Sequence, residues 1–409
     1  MKAKKSEVFD TSVGIDEMID FYLKKCYNLR GGNMNIKDRM LKYENTYSEY
    51  ACKDSEAIHL KPYEEDLRPS YFRDIDRIIY SLSYTRYIDK TQVFSGENND
   101  NISKRMVHVQ FVSKIARTIG RALNLNEDLI EAIALGHDLG HVPFGHTGEA
   151  ILNELSLKYD NTYFNHNVQS ARLLMDVENN GKGSNLTLQT LDGILCHNGE
   201  FVMGEYKPRE KTQEQFLKEY NDCYTDKDAI SRLVPMTLEG CVVRISDVIA
   251  YVGRDIEDAI RLGRFDRNSI PEHIREVLGD DNRTIINSII LDVIENSVNR
   301  PYIKMSDKVY NALRDLKQFN YDNIYSKANT KAMIDEYKLM FNTLFESYMD
   351  QLESEDYSAD IYNAFLNKMS DEYKTSTNNA RKVIDYIAGM TDNYFINQFN
   401  KNKKRVKVK

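Results

Sequence analysis

Histidines and carboxylates are concentrated in one short stretch of the chain, residues 131–149. Three of the eight histidines, His137, His141 and His146, lie there together with the carboxylates of Asp138 and Glu149. Imidazole and carboxylate groups bind divalent cations and transfer protons. The apolar residues before His137 predict a helix, and a carboxylate buried at its end without a partner would cost about 3–5 kcal/mol. The stretch is therefore where we expect chemistry.

Two further residues join His137 and Asp138 in a candidate metal-binding set. A helix predicted to begin near Ser103 carries His108 on its inward face, and a predicted helix over 238–262 carries Asp247. Two imidazoles and two carboxylates suit Mn, Fe, Co, Ni or Mg, and catalytic zinc stays open. Each residue alone could be a hydrogen-bonded core position, but the four together favour a metal.

A second set of polar residues lies between Asp138 and Asp247 in the sequence. It consists of His141, His146, Glu149 and His166. Near a metal-bound phosphate these groups could orient water, protonate a leaving oxygen or contact the phosphate. The alternative is that they only orient the metal ligands. The sequence has no Gly-rich phosphate-binding motif that would suggest another phosphate site.

The elements that must position these residues are predicted to be helical throughout, which makes the fold all-α. Asn126 is typical of an N-cap, and the helix after it is predicted to present His137 and His141 on one face until Gly140 and Pro143 end it. A new helix is predicted to begin at Gly145. Residues 200–227 are charged and aperiodic, which favours an insertion or lid. We divide the chain into an N-terminal helical arm (1–65), a core (66–270) and a helical C-terminal region with a basic tail (271–409).

Composition excludes several classes of protein. The net charge of −8 and the pI near 5.6 disfavour duplex nucleic acid as the main partner. No apolar run approaches the roughly 20 residues of a membrane span, and no apolar segment follows the lysines at the start. The five cysteines show no Cys-x-x-Cys spacing, so we expect reduced thiols and a cytoplasmic protein. The basic run from Lys401 is expected to be a disordered, solvated tail.

Several motifs together resemble one known family. Arg105-x-x-His108, His137-Asp138 and Asp247 are similar to the signature of the HD metal-dependent phosphohydrolases, which form a helical bundle. The sequence resembles one branch of this family more closely, the deoxynucleoside triphosphate triphosphohydrolases of the dGTPase type. The motifs are His137-Asp-Leu-Gly-His-Val-Pro-Phe-Gly-His-Thr-Gly-Glu149, Arg86-x3-Lys90-Thr-Gln-Val-Phe94, His197-Asn-Gly-Glu200 and Glu239-Gly-x-Val-Val-Arg-Ile-Ser-Asp247. The resemblance covers about residues 65–330.

The resemblance implies a reaction and a role for each residue. A deoxynucleoside triphosphate, with dGTP as the first substrate to try, would be split into deoxynucleoside and intact triphosphate. The implied metal ligands are His108, His137, Asp138 and Asp247. His146 would protonate the leaving 5′ oxygen, and phosphate contact and proton relay would fall to His141, Glu149 and His166. Gln92 and Asp255 would contact the 3′ hydroxyl of the substrate. Tyr251 would pack against the sugar, and Arg105 would contact a phosphate.

One position departs from the family pattern, because Val248 stands where some relatives carry a basic phosphate contact. The charge that binds the triphosphate must then come from elsewhere. The resemblance also implies one divalent ion (Mn, Mg, Fe, Co or Ni), with a second Mg accompanying the triphosphate. It implies a homo-oligomer, a tetramer or hexamer, and leaves open an allosteric nucleotide or single-stranded nucleic acid as a further partner.

Two alternatives remain at this stage. The chain could be an HD phosphohydrolase that acts on another nucleotide, such as an alarmone or a nucleoside monophosphate, and releases pyrophosphate or orthophosphate. It could instead be a binding protein for a nucleotide or for single-stranded nucleic acid, held by the basic tail. Steep loss of binding with salt would favour the second alternative.

Overall fold

The computed structural model describes residues 36–64, 66–96, 99–198 and 204–406. Residues 1–35 of the predicted arm and the last three residues of the basic tail lie outside these ranges. Helices account for nearly all of the regular structure, so the all-α prediction is confirmed.

The first half of the chain provides the helices around the residues singled out above. In chain order they are α1 Ile36–Met40, α2 Ser70–Ile79, α3 Leu82–Arg86, α4 Arg105–Ala122, α5 Glu127–Gly136, α6 Gly145–Asp160, α7 His166–Arg172, α8 Glu178–Gly181, α9 Leu188–Cys196, α10 Gln213–Thr225 and α11 Leu238–Arg261. Segment Leu173–Val177 continues α7 as a π-helix. The chain turns within α8, where Asn179 and Asn180 both have positive φ.

The second half of the chain is also helical. Its helices are α12 Glu272–Leu278, α13 Asn282–Ser297, α14 Asp307–Asn320, α15 Ser326–Ala328, α16 Lys331–Glu353, α17 Asp360–Ala364, α18 Asp371–Ser376, α19 Asn379–Ala388 and α20 Asp392–Val406. Helix α20 continues through Val406, so the prediction of a disordered tail from Lys401 was wrong for the six residues 401–406. Segment Tyr321–Tyr325 is a π-helix.

The only strands among the described residues are two short ones. Strand β1 (Glu205–Tyr206) pairs antiparallel with β2 (Ile303–Lys304). The segment after β1 was predicted to be aperiodic, and this was wrong where α10 forms. Its buried residues Phe216, Tyr220 and Cys223 follow helical spacing, and Thr212 and Gln215 form a capping box.

Helix α5 ends four residues earlier than its pattern suggested. Asn126 caps its start as predicted, accepting hydrogen bonds from the N–H groups of Asp128 and Leu129. The helix ends at Gly136 because the chain then folds onto α7. There Gly140 N donates to Ser170 Oγ at 2.8 Å, and a Cβ at Gly140 would lie 2.2 Å from His166 O. His141 therefore lies in a loop and not on the face of α5.

Two apolar clusters hold these elements together. The larger one joins α2–α5, α9, α11 and the helices up to α15. Ala51 belongs to it, so part of the segment predicted as an arm packs against the core. The smaller cluster packs Val142, Phe144 and the apolar face of α6 against α16, α19 and α20. The loop and helix that carry His141 and His146 are thus supported from the C-terminal side.

No helix within the described residues combines the length and the apolar character that crossing a bilayer would need.

A buried carboxylate of α11 should make stability depend on pH. Glu239 is fully buried, and its Oε1 accepts hydrogen bonds from Cys52 N (3.0 Å) and Asn126 N (3.1 Å). Burial raises the pKa of Glu239 to about 7 although these hydrogen bonds oppose the shift. A folded-state pKa above the unfolded value means that stability is lost as the pH rises from about 4.5 to 7. The loss amounts to about 3 kcal/mol.

The variant Glu239→Gln should lack this loss, because its amide keeps an acceptor oxygen and does not ionise. We expect its melting temperature relative to the natural protein to rise between pH 5 and pH 8. The exposed Glu336→Gln serves as the control, with no such trend. Equal trends in both variants would show that Glu239 does not titrate in this range.

Candidate active site

A cavity of about 760 Å³ opens between the α4–α11 bundle and the C-terminal helices. Ten of the twelve residues predicted to form the site line it, and they come from distant parts of the chain. They are Gln92, Arg105, His108, Asp138, His141, His146, His166, Asp247, Tyr251 and Asp255. The other two, His137 and Glu149, contact these residues directly from behind. The structure therefore brings the whole predicted set together.

The ends of buried helices position the first ligands. Close packing of α5 against α9 fixes the end of α5, since a Cβ at Gly136 would lie 2.6 Å from Ile194 Cδ1. His137 then bonds through Nδ1 to Ala134 O at 2.7 Å. This tether directs Nε2 toward the carboxylates. His137 Nε2 is buried and has no hydrogen-bond partner among the described residues.

Four side chains converge at this point. His108 Nε2 lies 3.0 Å from Asp247 Oδ1 and 3.7 Å from Asp138 Oδ2. His137 Nε2 lies 3.4 Å from Asp138 Oδ1 and 3.7 Å from Asp247 Oδ1. The ligand atoms of His108, His137 and Asp138 lie within 4.8 Å of one another, and so do those of His137, His197 and Asp247. Their nitrogen and oxygen types are those of a hard or borderline divalent metal. The residues fit the ion that the sequence pattern predicts.

The charges of the cluster are strongly coupled. Burial opposes a charge on His137, but the carboxylates of Asp138 and Asp247 raise its pKa to about 9. Burial alone would raise the pKa of either carboxyl group, and the neighbouring histidines hold both pKa values well below their usual range. Both carboxylates are therefore ionised, and a cation is needed to balance their negative charge. A metal ion would replace the proton on His137.

His197 belongs to the same centre, although the sequence analysis gave it no role. Its Nε2 lies 3.8 Å from Asp138 Oδ1 and 3.2 Å from His166 Nε2. Its Nδ1 bonds to Ile194 O at 2.7 Å, which repeats the tether of His137. Burial and the positive charge of His137 lower its pKa to about 3, so it is neutral. The repeated pattern of a histidine directly after an apolar helix could have identified it.

The second predicted set is organised by Glu149. Its Oε2 lies 2.9 Å from His146 Nδ1, and its Oε1 lies 2.8 Å from His166 Nδ1. His141 stacks on His166 with ring centres 3.9 Å apart and reaches Asp138 Oδ1 at 3.2 Å through Nε2. The set thus forms a continuous row of imidazoles from Asp138 to the open part of the cavity.

The outermost histidine of this row faces the cavity. The side chain of His146 is 75% exposed. Desolvation opposes a charge on His146, but the hydrogen bond and charge of Glu149 raise its pKa above the ordinary value. Glu149 therefore favours the protonated form of His146, at a position that a bound molecule could reach.

A third group of residues lies at another part of the cavity wall. Asp255 is buried and accepts a hydrogen bond from Tyr325 Oη at 2.7 Å. Burial raises the pKa of Asp255 to about 7. Gln92 Oε1 is buried without a hydrogen-bond partner among the described residues. Because buried polar atoms are nearly always paired, Gln92 is equipped to bond a hydroxyl or amino group of a ligand.

Cationic side chains also line the cavity. Arg105 Nη1 contacts Asp138 Oδ2 at 2.5 Å, so its charge is already directed at the metal cluster. Lys317 of α14 is half-buried, with Nζ 6.0 Å from the centre of the Tyr251 ring. Arg244 of α11 lies one turn before Asp247 and donates to Leu233 O at 2.8 Å. The last two add positive charge to the cavity that Val248 also lines. Arg244 stands within the motif that ends at Asp247, whereas none of the quoted motifs includes Lys317.

Comparison with known proteins places the cluster in a recognised domain. An HD domain profile matches residues 105–252, and a phosphohydrolase-associated domain profile matches residues 303–401. A deoxyguanosinetriphosphate triphosphohydrolase-like protein of Desulfatibacillum aliphaticivorans is 36% identical over 90% of this chain and 98% of its own. A protein with the same name from Caldanaerobacter subterraneus subsp. tengcongensis is 39% identical over 85% of this chain and 89% of its own. Another from Clostridium tetani is 35% identical over 91% of this chain and 95% of its own.

The metal assignment predicts that Asp138→Ala no longer binds a divalent ion. Removing even an outer-shell partner of a metal ligand costs about 10–100-fold in affinity, so loss of a ligand should weaken Mn²⁺ binding by more than about 100-fold. Calorimetric titration with Mn²⁺ measures this. Asp255→Asn, which lies outside the cluster, should bind like the natural protein. Unchanged affinity in Asp138→Ala would contradict the assignment.

Proposed function

Because the chain belongs to the HD-domain family of deoxyguanosinetriphosphate triphosphohydrolase-like proteins, we propose that it hydrolyses deoxynucleoside triphosphates to deoxynucleoside and intact triphosphate. Membership alone makes it a nucleotide hydrolase that binds a divalent metal. The observation that supports the finer proposal is the arrangement of the cavity. Three of the four candidate metal ligands, His146 with its raised pKa and the side chain of Gln92 line one cavity of about 760 Å³, which is large enough for a nucleotide.

In this proposal His108, His137, Asp138 and Asp247 hold the ion, with His197 beside them. A divalent ion in this place supplies Lewis acidity toward a phosphate group. The candidates are Mn, Mg, Fe, Co and Ni, with a second Mg carried by the triphosphate. His141 and His166 contact the phosphate and pass protons along the imidazole row.

His146 is proposed to donate the proton to the leaving 5′ oxygen. Its hydrogen bond to Glu149 favours the charged imidazolium and fixes the ring, so the other ring nitrogen is free to donate. Protonation of the leaving oxygen allows its bond to the α-phosphorus to break while a water molecule attacks that phosphorus and forms the new P–O bond. The proton that the water releases passes to the imidazole row. A positioned general acid contributes about 10²–10⁴-fold in rate.

The sugar is proposed to lie against Tyr251, with its 3′ hydroxyl between Gln92 and Asp255. Gln92 Oε1 then gains the hydrogen-bond partner it lacks, and Asp255 accepts from the hydroxyl beside Tyr325. Tyr251 is held in place by its position on α11 and would crowd a 2′ hydroxyl. This arrangement favours deoxyribose over ribose, and we propose dGTP as the first substrate to try.

The triphosphate is proposed to draw its positive charge from Lys317 and Arg244 in addition to Arg105. These cations would replace the basic contact that is absent at Val248, since both side chains line the same cavity as that residue. Lys317 lies on α14, so we propose that the C-terminal region (271–409) contributes to the site of the core (66–270). The arm (1–65) has no proposed contact, and a tetramer or hexamer remains a proposal from the family.

The products of a substrate panel test the proposed function. The purified protein is incubated with each of the four dNTPs and four NTPs in Mn²⁺ or Mg²⁺, and the products are separated by ion exchange. We expect deoxynucleoside and intact triphosphate from dNTPs, slower turnover of NTPs and none with chelator. Release of pyrophosphate or orthophosphate would instead support an HD phosphohydrolase of different specificity.

Replacement of Lys317 tests the origin of the phosphate contacts. Hydrogen bonds to charged groups contribute about 1.5–3 kcal/mol, so Lys317→Ala should raise the KM for a dNTP roughly 10–100-fold with a smaller change in kcat. Lys317→Arg keeps the charge and should recover most of the affinity. Lys158→Ala, an exposed lysine on the outer side of α6, is the matched control. An unchanged KM in Lys317→Ala would exclude this contact.

A further inference from the structure

Three segments that are far apart in the sequence meet behind the cavity. They are the loop 90–92, the turn 142–145 and the C-terminal segment 388–392. We propose that Asp392, the first residue of α20, is a positioning residue that sets the placement of His146 and Gln92. The expected effect on kcat rests on the proposed function, whereas the effect on the two loops can be measured without any activity.

The carboxylate of Asp392 bridges the two loops that carry site residues. Its Oδ2 accepts hydrogen bonds from Thr91 N (3.2 Å) and from the Thr91 hydroxyl, directly before Gln92. Its Oδ1 accepts a hydrogen bond from Phe144 N at 3.2 Å, two residues before His146. Asp392 is only 9% exposed, so water does not readily replace these bonds.

The turn that Asp392 holds is a strained one. Phe144 has φ 64° and ψ 26°, and Gly145 follows with φ 57°. A left-handed conformation costs a residue other than glycine roughly 1–2 kcal/mol, so surrounding contacts must fix it. These two residues turn the chain directly into α6, whose second residue is His146. The direction in which His146 enters the cavity therefore depends on this turn.

The C-terminal region also fixes the side chain of Phe144. Its ring stacks on Tyr337 with ring centres 4.1 Å apart and packs edge-on against Phe395 of α20, with centres 5.4 Å apart. Asp392 holds the backbone of Phe144 while Tyr337 and Phe395 hold its ring. Together these contacts stabilise a conformation that the local sequence alone would not maintain.

A buried lysine supports the same arrangement. Lys90 is 2% exposed, and its Nζ donates hydrogen bonds to His141 O and, at 3.0 Å, to Ala388 O. It thus links the loop of His141 to the end of α19, four residues before Asp392. Hydrogen bonds on both sides of the strained turn consequently connect the loop 90–92, the turn 142–145 and the segment 388–392.

A double-mutant cycle tests whether Asp392 acts through His146. Asp392→Ala should lower kcat for the dNTP by roughly 10–100-fold, because small displacements of a catalytic group have costs of this size. His146→Ala should lower it by roughly 10²–10⁴-fold. In the His146→Ala background, Asp392→Ala should cost less than about 3-fold more. If the two reductions in kcat multiply in full, Asp392→Ala costs as much in the His146→Ala background as in the natural protein. That result would show that Asp392 does not act through His146.

Matched variants separate this role from general instability. Asp392→Asn keeps the size and one acceptor oxygen, so its effect should fall between those of the natural protein and Asp392→Ala. Asp360→Asn removes a partly exposed carboxylate of the same region, which forms an ion pair with Lys401, and should leave kcat and metal content unchanged. Metal content should also be unchanged in Asp392→Asn, because the metal cluster does not depend on the turn.

Hydrogen–deuterium exchange provides a readout that needs no activity. In Asp392→Asn, peptides covering residues 90–94 and 141–147 should exchange faster than in the natural protein, while peptides of α4 and α11 should not. Unchanged exchange at 141–147 would overturn the inference whatever the substrate panel shows. Faster exchange with no triphosphate released from any nucleotide would retain the structural role and reject the proposed function.

Discussion

The carboxylate of Asp138 is the group around which the structure is arranged. It is almost fully buried in a protein of net negative charge, where an unpaired carboxylate would destabilise the fold by several kcal/mol, about 3–5 after relaxation. Arg105 and five histidines lie around it. They come from α4, the ends of α5 and α9, the start of α7 and the loop of His141, so satisfying one charge requires that these helices be packed in one arrangement. The same convergence brings together the ligand atoms that could hold a metal ion.

Helix ends are the means by which this convergence is achieved. His137 and His197 each follow the last residue of a buried helix and bond through Nδ1 to a carbonyl three residues earlier. The tether leaves Nε2 directed away from the helix and toward the centre. Side chains in the middle of such a helix would point sideways into the apolar core, where an unpaired imidazole is costly. The histidines stand where a buried helix can present a polar group without losing its apolar packing.

The sequence predicts the parts of this arrangement that are local. The helical spacing in α4 and α11, the N-cap at Asn126 and the start of α6 at Gly145 all follow from side chains within one or two turns. The extent of α5 was predicted wrongly because its end is set by contact of Gly140 with α7, about thirty residues away. Likewise α10 was missed because its few apolar residues are widely spaced among charged ones. His197 escaped assignment for a different reason: its partner Asp138 is distant in the sequence.

Long-range contacts from the C-terminal region complete the site, and no local pattern reveals them. Lys317 and Tyr325 reach the cavity from beyond the HD domain match, and Asp392 reaches the back of it from the last helix. The strained conformation of Phe144 shows why such support is needed. A turn that presents His146 at the correct angle is not the most stable one for its own residues, so its stability must come from neighbours that are fixed independently. The apolar cluster of α6, α16, α19 and α20 provides that fixed frame. The C-terminal helices therefore hold the geometry of the candidate site, and the core and the C-terminal region line the same cavity.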